Sequence, residues 1–216
     1  LLGIYLNKNE ISMVKIICIG RNYAEHAKEM KSEVPTEPVF FMKPDTALLK
    51  DNEPFYYPNF TNDLHHEIEV VIKISKVGKH ISEQFANKYY EEIGLGIDFT
   101  ARDLQAQCKA KGLPWEKAKS FDHSAPIGKF VKKETLGNLN ELNFELKINN
   151  QSQQIGNTKD LLFSFDKIIA YVSQFVTLKV GDLIYTGTPE GVGPVKIGDK
   201  LTGYLNQNQM FDFEIK

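Results

Sequence analysis

Glu67 and Glu69 stand two residues apart in the stretch NDLHHEIEVVIKIS (62–75), whose β-branched run reads as a buried strand. Side chains alternate across a strand at a rise of about 3.3 Å per residue, so the two carboxylates share a face with Cα atoms roughly 7 Å apart. Two readings fit this pair. Either the face is solvated, with Ile68, Val70 and Ile72 turned to a core, or the pair holds a cation that cancels the repulsion. Val71 shares the face of the glutamates, which argues against full solvation, and Asp98 adds a third carboxylate near the end of another strand-like segment, 93–99. Three hard oxygen donors suit Mg²⁺ or Mn²⁺ better than zinc or copper, and leave positions open for a chelating substrate. His65 lies on the face of Glu67 if the strand extends that far and is the ligand for a softer metal, but adjacent His65 and His66 point opposite ways.

In GRNYAEHAKEM (20–30), His26 and Glu29 fall at i and i+3 on one helical face. The carboxylate there would orient the imidazole and stabilise its protonated form, although the same spacing is common on solvated helices. In DFTARDLQAQCKAKGLPWEKAKSFD (98–122), Arg102 and Asp103 read as helix-capping residues that pair with each other. Lys119 is a positive charge for an anionic substrate, one of several neighbouring lysines. Lys43 interrupts the apolar FFMKP (40–44) and needs an anionic partner or a route to solvent. The glycines of YTGTPEGVGPVKIGD (185–199) let backbone approach a ligand beside the hydroxyls of Thr186 and Thr188, or make a tight turn between strands. No Walker A or dinucleotide G-x-G-x-x-G spacing is present.

These residues need elements to hold them. The pattern predicts strands over 15–19, 39–42, 62–75 and 93–99, and helices over 23–30 and 101–111, the latter ended by Gly112. Ser82 is the expected N-cap of a helix through Glu91. Asn149, Asn150 and Gln151 suggest a hairpin turn. A helix over 166–176 carries an apolar stripe of Ile168, Ile169, Val172, Phe175 and Val176, and strands follow at 183–185, 200–205 and 210–215. Strands outnumber helices without regular β-α-β alternation, so the fold expected is α+β: a mixed, mainly antiparallel β-roll with peripheral helices.

A chain of 216 residues, 42% hydrophobic, can bury one substantial core, and residues 13–216 read as a single catalytic domain after an N-terminal extension, 1–12. Lys and Arg (26) nearly balance Asp and Glu (28), so no charge excess calls for nucleic acid or an anionic membrane, and a small molecule is the expected partner. Cys18 and Cys108 form no metal-binding pair and read as reduced structural thiols. With no apolar run near the roughly 20 residues of a membrane span and no leader pattern, a soluble, unprocessed, cytoplasmic protein is expected.

In this order, GRNYAEHAKEM, FMKP, LHHEIEVVI, DFTARDLQ, KGLPWEKAKSFD and GTPEGVGPVKIGD resemble the fumarylacetoacetate hydrolase superfamily, in its small acylpyruvase form, from about Ile16 to the C-terminus. The resemblance implies a β-roll, a homodimer and a Mg²⁺ or Mn²⁺ site on Glu67, Glu69 and Asp98. It implies a His26–Glu29 dyad on a segment that orders over bound substrate, with Lys119 and Gln105 contacting a 2-oxo acid and Arg21, Lys43 and Thr188 lining the site. The expected reaction is hydrolysis of a 3-acylpyruvate to pyruvate and a carboxylic acid, with decarboxylation of oxaloacetate as related chemistry. An isomerase or tautomerase of 2-oxo or 2-hydroxydienoate acids is the alternative with the same metal and enolate. A non-catalytic, metal-dependent binder of 2-oxo acids is the alternative from another class.

Overall fold

The computed structural model describes residues 14–30 and 33–216; the expectation for residues 1–12 lies outside them. The architecture is α+β, with mainly antiparallel sheets and peripheral helices. The largest sheet runs, edge to edge, Val39–Lys43, Ile16–Gly20, Leu183–Tyr185, Ile68–Ile74, Tyr90–Ile97 and Val131–Lys132. Only the pairing of Ile16–Gly20 with Leu183–Tyr185 is parallel in it. A four-stranded antiparallel sheet joins Gln151–Asn157, Asn143–Ile148, Lys200–Leu205 and Asn208–Glu214. Its first hairpin turns at Asn149 and Asn150, both at positive φ (52° and 65°), the conformation that favours Asn in a two-residue turn.

The large sheet is buried on both faces. Ile17, Ile19, Ile68, Val70 and Ile72 enter the main core, while Ile16, Cys18, Val71 and Tyr185 build a second one on the opposite face. Val71 therefore decides the first question raised by the sequence, because the face it shares with Glu69 is packed rather than solvated.

Three local expectations are corrected. The 62–75 stretch is not one strand: Leu64–His66 pairs in a small three-stranded sheet and Ile68–Ile74 in the large one, with Glu67 at the break between them. The helix expected from Ser82 through Glu91 is a 3₁₀ segment, Glu83–Lys88, without a side-chain cap, because Tyr90–Ile97 is drawn into the sheet beside Ile68–Ile74. The helix Phe165–Phe175 is capped by Ser164 and buries Phe165, Ile168, Ile169 and Val172, but Phe175 is 55% exposed and rests on Phe40 and Tyr171 at the surface. The helix Arg102–Lys111 forms as expected, with Gly112 left-handed (φ 62°) at its end.

Candidate active site

The antiparallel register sets the carboxylates together. Ile68 pairs with Ile97 and Glu69 with Gly96, so one step beyond the ladder Asp98 comes opposite Glu67, and its N–H donates to the Glu67 carbonyl (2.8 Å). Carboxylate oxygens of Glu67, Glu69 and Asp98 lie within 4.8 Å of one another, and all three residues are buried.

Three cations face these anions. Lys119 Nζ donates to Glu67 Oε2 (2.9 Å) and Asp98 Oδ2 (2.7 Å), and Arg102 Nη2 donates to Glu67 Oε1 (2.6 Å). Lys43 Nζ lies 2.7 Å from Asp98 Oδ1, but its protons are directed at the carbonyls of Phe99, Lys119 and Ser124 and at the Ser124 hydroxyl. That contact is ionic, and Oδ1 has no hydrogen-bond donor among the described residues. Burial alone would raise the Glu67 pKa, but Lys119 and Arg102 outweigh it and hold the carboxyl well below its ordinary range. Burial would likewise favour neutral Lys119, yet Asp98 and Glu67 push its pKa up and keep it protonated.

Glu69 is the uncompensated member. Burial, then Asp98 and Glu67, raise its carboxyl well above the usual range, offset in part by the Gly187 N–H at 2.7 Å from Oε2. Gly187 holds φ 103°, and a Cβ there would come within 2.7 Å of the Asn22 side chain, so this donor requires glycine. An orphaned oxygen on Asp98, a charge-destabilised Glu69 and an all-carboxylate donor set fit a hard divalent cation. Glu67, Glu69 and Asp98 are a divalent-metal cluster suited to Mg²⁺ or Mn²⁺. His65 is not part of it; its ring contacts Asp63 (2.9 Å) and Arg102.

The trio opens on a cavity of about 40 Å³ whose wall includes Arg21, His26, Gln105, Lys109, Trp115 and Thr188. A larger groove of about 690 Å³, between Val14, Lys73, Phe130 and Met210, contains no such cluster among the described residues. His26 sits on the short helix Ala24–Glu29, with Nδ1 3.2 Å from Glu29 Oε2, which leaves Nε2 as its other functional nitrogen. Glu29 Oε1 accepts from Gly191 N–H (3.1 Å), tying this helix to the glycine-rich loop. Asn22 anchors the approach: its amide donates to the carbonyls of Phe163 and Thr186, and its carbonyl oxygen accepts from Phe163 N–H.

Arg21, His26, Gln105, Lys119 and Thr188 thus meet the trio in one cavity, whereas Lys43 lies behind Asp98 and off its wall. Glu29 reaches the site through His26. Arg102 is the main residue the sequence reading misplaces. It does not pair with Asp103, which accepts from Thr61, Asn62 and Leu104; Arg102 instead joins Glu67 to Gln105 Oε1 (2.8 Å). Its i,i+3 spacing from Gln105 is the one signal that could have placed it. Gln154 carried no such signal. Fully buried, it accepts from Ile68 N–H, meets the His66 ring at 2.9 Å and donates to Thr188 Oγ1 (2.9 Å), fixing that hydroxyl at the cavity.

A family model described as fumarylacetoacetate (FAA) hydrolase, C-terminal, matches residues 15–216. The chain belongs to the fumarylacetoacetate hydrolase family. A mitochondrial oxaloacetate tautomerase of Mus musculus is 45% identical over 201 residues, covering 93% of this chain and 91% of the mouse protein. A family member from Yersinia pestis CO92 superposes with TM-score 0.91 at 41% identity, covering 94% of each chain. A fumarylpyruvate hydrolase from Pseudomonas aeruginosa, solved with Mn²⁺ and pyruvate, superposes with TM-score 0.89 at 35% identity, covering 94% of this chain and 89% of that one. The mouse protein's name, shared by its bovine and human counterparts, overturns the cytoplasmic expectation. Both cysteines are buried and free. No helix among the described residues is long and apolar enough to cross a membrane.

Proposed function

We propose that this family member is a tautomerase of 2-oxo acids, with oxaloacetate as its substrate. The observation that carries the reading is the His26–Glu29 pair opening on the same small cavity as the carboxylate trio. It is supported by the 45% identity to a mouse oxaloacetate tautomerase.

Converting enol to keto removes a proton from the 2-hydroxyl and adds one to carbon 3, with an enolate between. Glu67, Glu69 and Asp98 would hold the divalent cation, which when bound would supply Lewis-acid stabilisation of charge on the 2-oxygen. His26 carries the proton at carbon 3 on Nε2, and Glu29 on Nδ1 fixes the orientation of the ring. Lys119, held protonated, adds positive charge near the enolate oxygen. Thr188 accepts from Gln154 and so keeps its own proton for a substrate oxygen. Gln105, whose oxygen is taken by Arg102, offers its amide N–H groups. Tautomerisation needs no water as nucleophile.

The second reading is hydrolysis of 3-acylpyruvates, favoured by the similar hydrolase solved with pyruvate and Mn²⁺. The two separate on acetylpyruvate: hydrolysis releases pyruvate, whereas a tautomerase exchanges its carbon-3 protons without cleavage. The homodimer implied by the family belongs to the same proposal and is read by light scattering.

A further inference from the structure

Most of the charge at the site is paired, but two cations on the cavity wall are not. Arg21 and Lys109 both line the cavity beside the trio, and neither side chain forms an ion pair or hydrogen bond with any described residue. Lys109 stands over the Trp115 ring, 5.5 Å from its centroid, on the exposed rim of the helix Arg102–Lys111. Arg21 holds a left-handed backbone (φ 60°), uncommon for a residue with a side chain and sustained only where the surroundings enforce it. Partial desolvation at the rim lowers the Lys109 pKa, and repulsion from Arg102 and Arg21 lowers it further.

The charge balance makes this pair informative. Lys43, Lys119 and Arg102 equal in number the carboxylates of Glu67, Glu69 and Asp98, although they pair only with Glu67 and Asp98. A divalent cation then adds two positive charges, and Arg21 and Lys109 two more, so a monoanion leaves the site strongly positive. Resting on the 2-oxo acid reading, we infer that Arg21 and Lys109 receive a second, distal carboxylate, which makes the site selective for dianionic 2-oxo acids over monoanionic ones. Lys109, at the rim and on a regular helix, is the specificity-determining member that can be changed without disturbing the metal cluster.

The test compares L-malate with L-lactate, non-reacting 2-hydroxy acids that share the chelating end and differ by the distal carboxylate. Binding to the Mg²⁺-loaded protein is measured by calorimetry in the wild type, Lys109→Ala and Lys111→Ala, the last removing the same charge from the same helix away from the cavity. The wild type should prefer malate by about tenfold or more, and Lys109→Ala should cut that ratio by about tenfold, the worth of a charge-assisted hydrogen bond. Lactate affinity and the Lys111→Ala ratio should be unchanged. A ratio near one in the wild type, an unaltered ratio in Lys109→Ala, or an equal fall in Lys111→Ala overturns the inference. Absence of oxaloacetate tautomerisation alongside a malate preference lost in Lys109→Ala would count against the proposed reaction alone.

Discussion

Lys119 Nζ lies 2.7 Å from Asp98 Oδ2 and 2.9 Å from Glu67 Oε2, so a single buried ammonium neutralises part of the group that holds the metal. Lysine and metal therefore share the same carboxylates. Lys119→Met should remove the ammonium shared by Glu67 and Asp98, leaving Glu67 to Arg102 and Asp98 to Lys43, and lower metal-free stability by about 3 kcal/mol. Saturating Mg²⁺ should restore more stability to this variant than to the wild type. Urea denaturation with and without Mg²⁺ measures both effects, and an equal gain in the two proteins would show that lysine and metal act independently.

Glu69 gives the metal site a pH dependence of definite sign. Its raised pKa means that the metal-free fold retains a proton that the unfolded chain has already lost. The contribution of Glu69 to metal-free stability is therefore full below its unfolded pKa and is lost as pH rises through its folded pKa, opposite in sign to that of Glu67. The metal takes the ionised form, so binding must release that proton. Mn²⁺ affinity should climb with pH, by up to about tenfold per unit, until it levels above the Glu69 pKa. Calorimetry in buffers of different ionisation enthalpy counts the protons released; none released, with flat affinity, would place Glu69 outside the ligand set.

Glu29 acts through His26, and its carboxylate is shared with Gly191. Glu29→Gln keeps the shape of the side chain but replaces the carboxylate that holds the His26 ring, so kcat should fall about a hundredfold. Mg²⁺ affinity should stay unchanged, because the residue touches none of the three ligands. Loss of metal binding in this variant would mean that the helix Ala24–Glu29 shapes the metal site rather than serving proton transfer.

Local patterns expose some of this site and hide the rest. The trio is legible because strand alternation puts Glu67 and Glu69 on one face, and because Val71 on that face argues against solvent. The break at Glu67 is not, since it arises where the chain passes from one sheet to another, a matter of partners distant in sequence. Arg102 looks like a capping residue until Glu67, 35 positions away, is brought to its guanidinium. Gln154 sits in the polar run 151–154 and reads as surface, yet the fold buries it 34 positions from Thr188 and 88 from His66. Phe175 completes a helical period on paper, while the actual core contact comes from Phe165 at the other end. Period reports which residues share a face; only the assembled sheets decide which faces meet.

The most direct test follows the decay of enol-oxaloacetate to the keto form in the presence of purified protein and Mg²⁺, comparing wild type with His26→Ala. The expected result is Mg²⁺-dependent acceleration over buffer that falls about a hundredfold or more in His26→Ala while metal affinity is retained. Equal acceleration by wild type and His26→Ala would contradict the account, because proton transfer would then not pass through the residue that joins the dyad to the cavity.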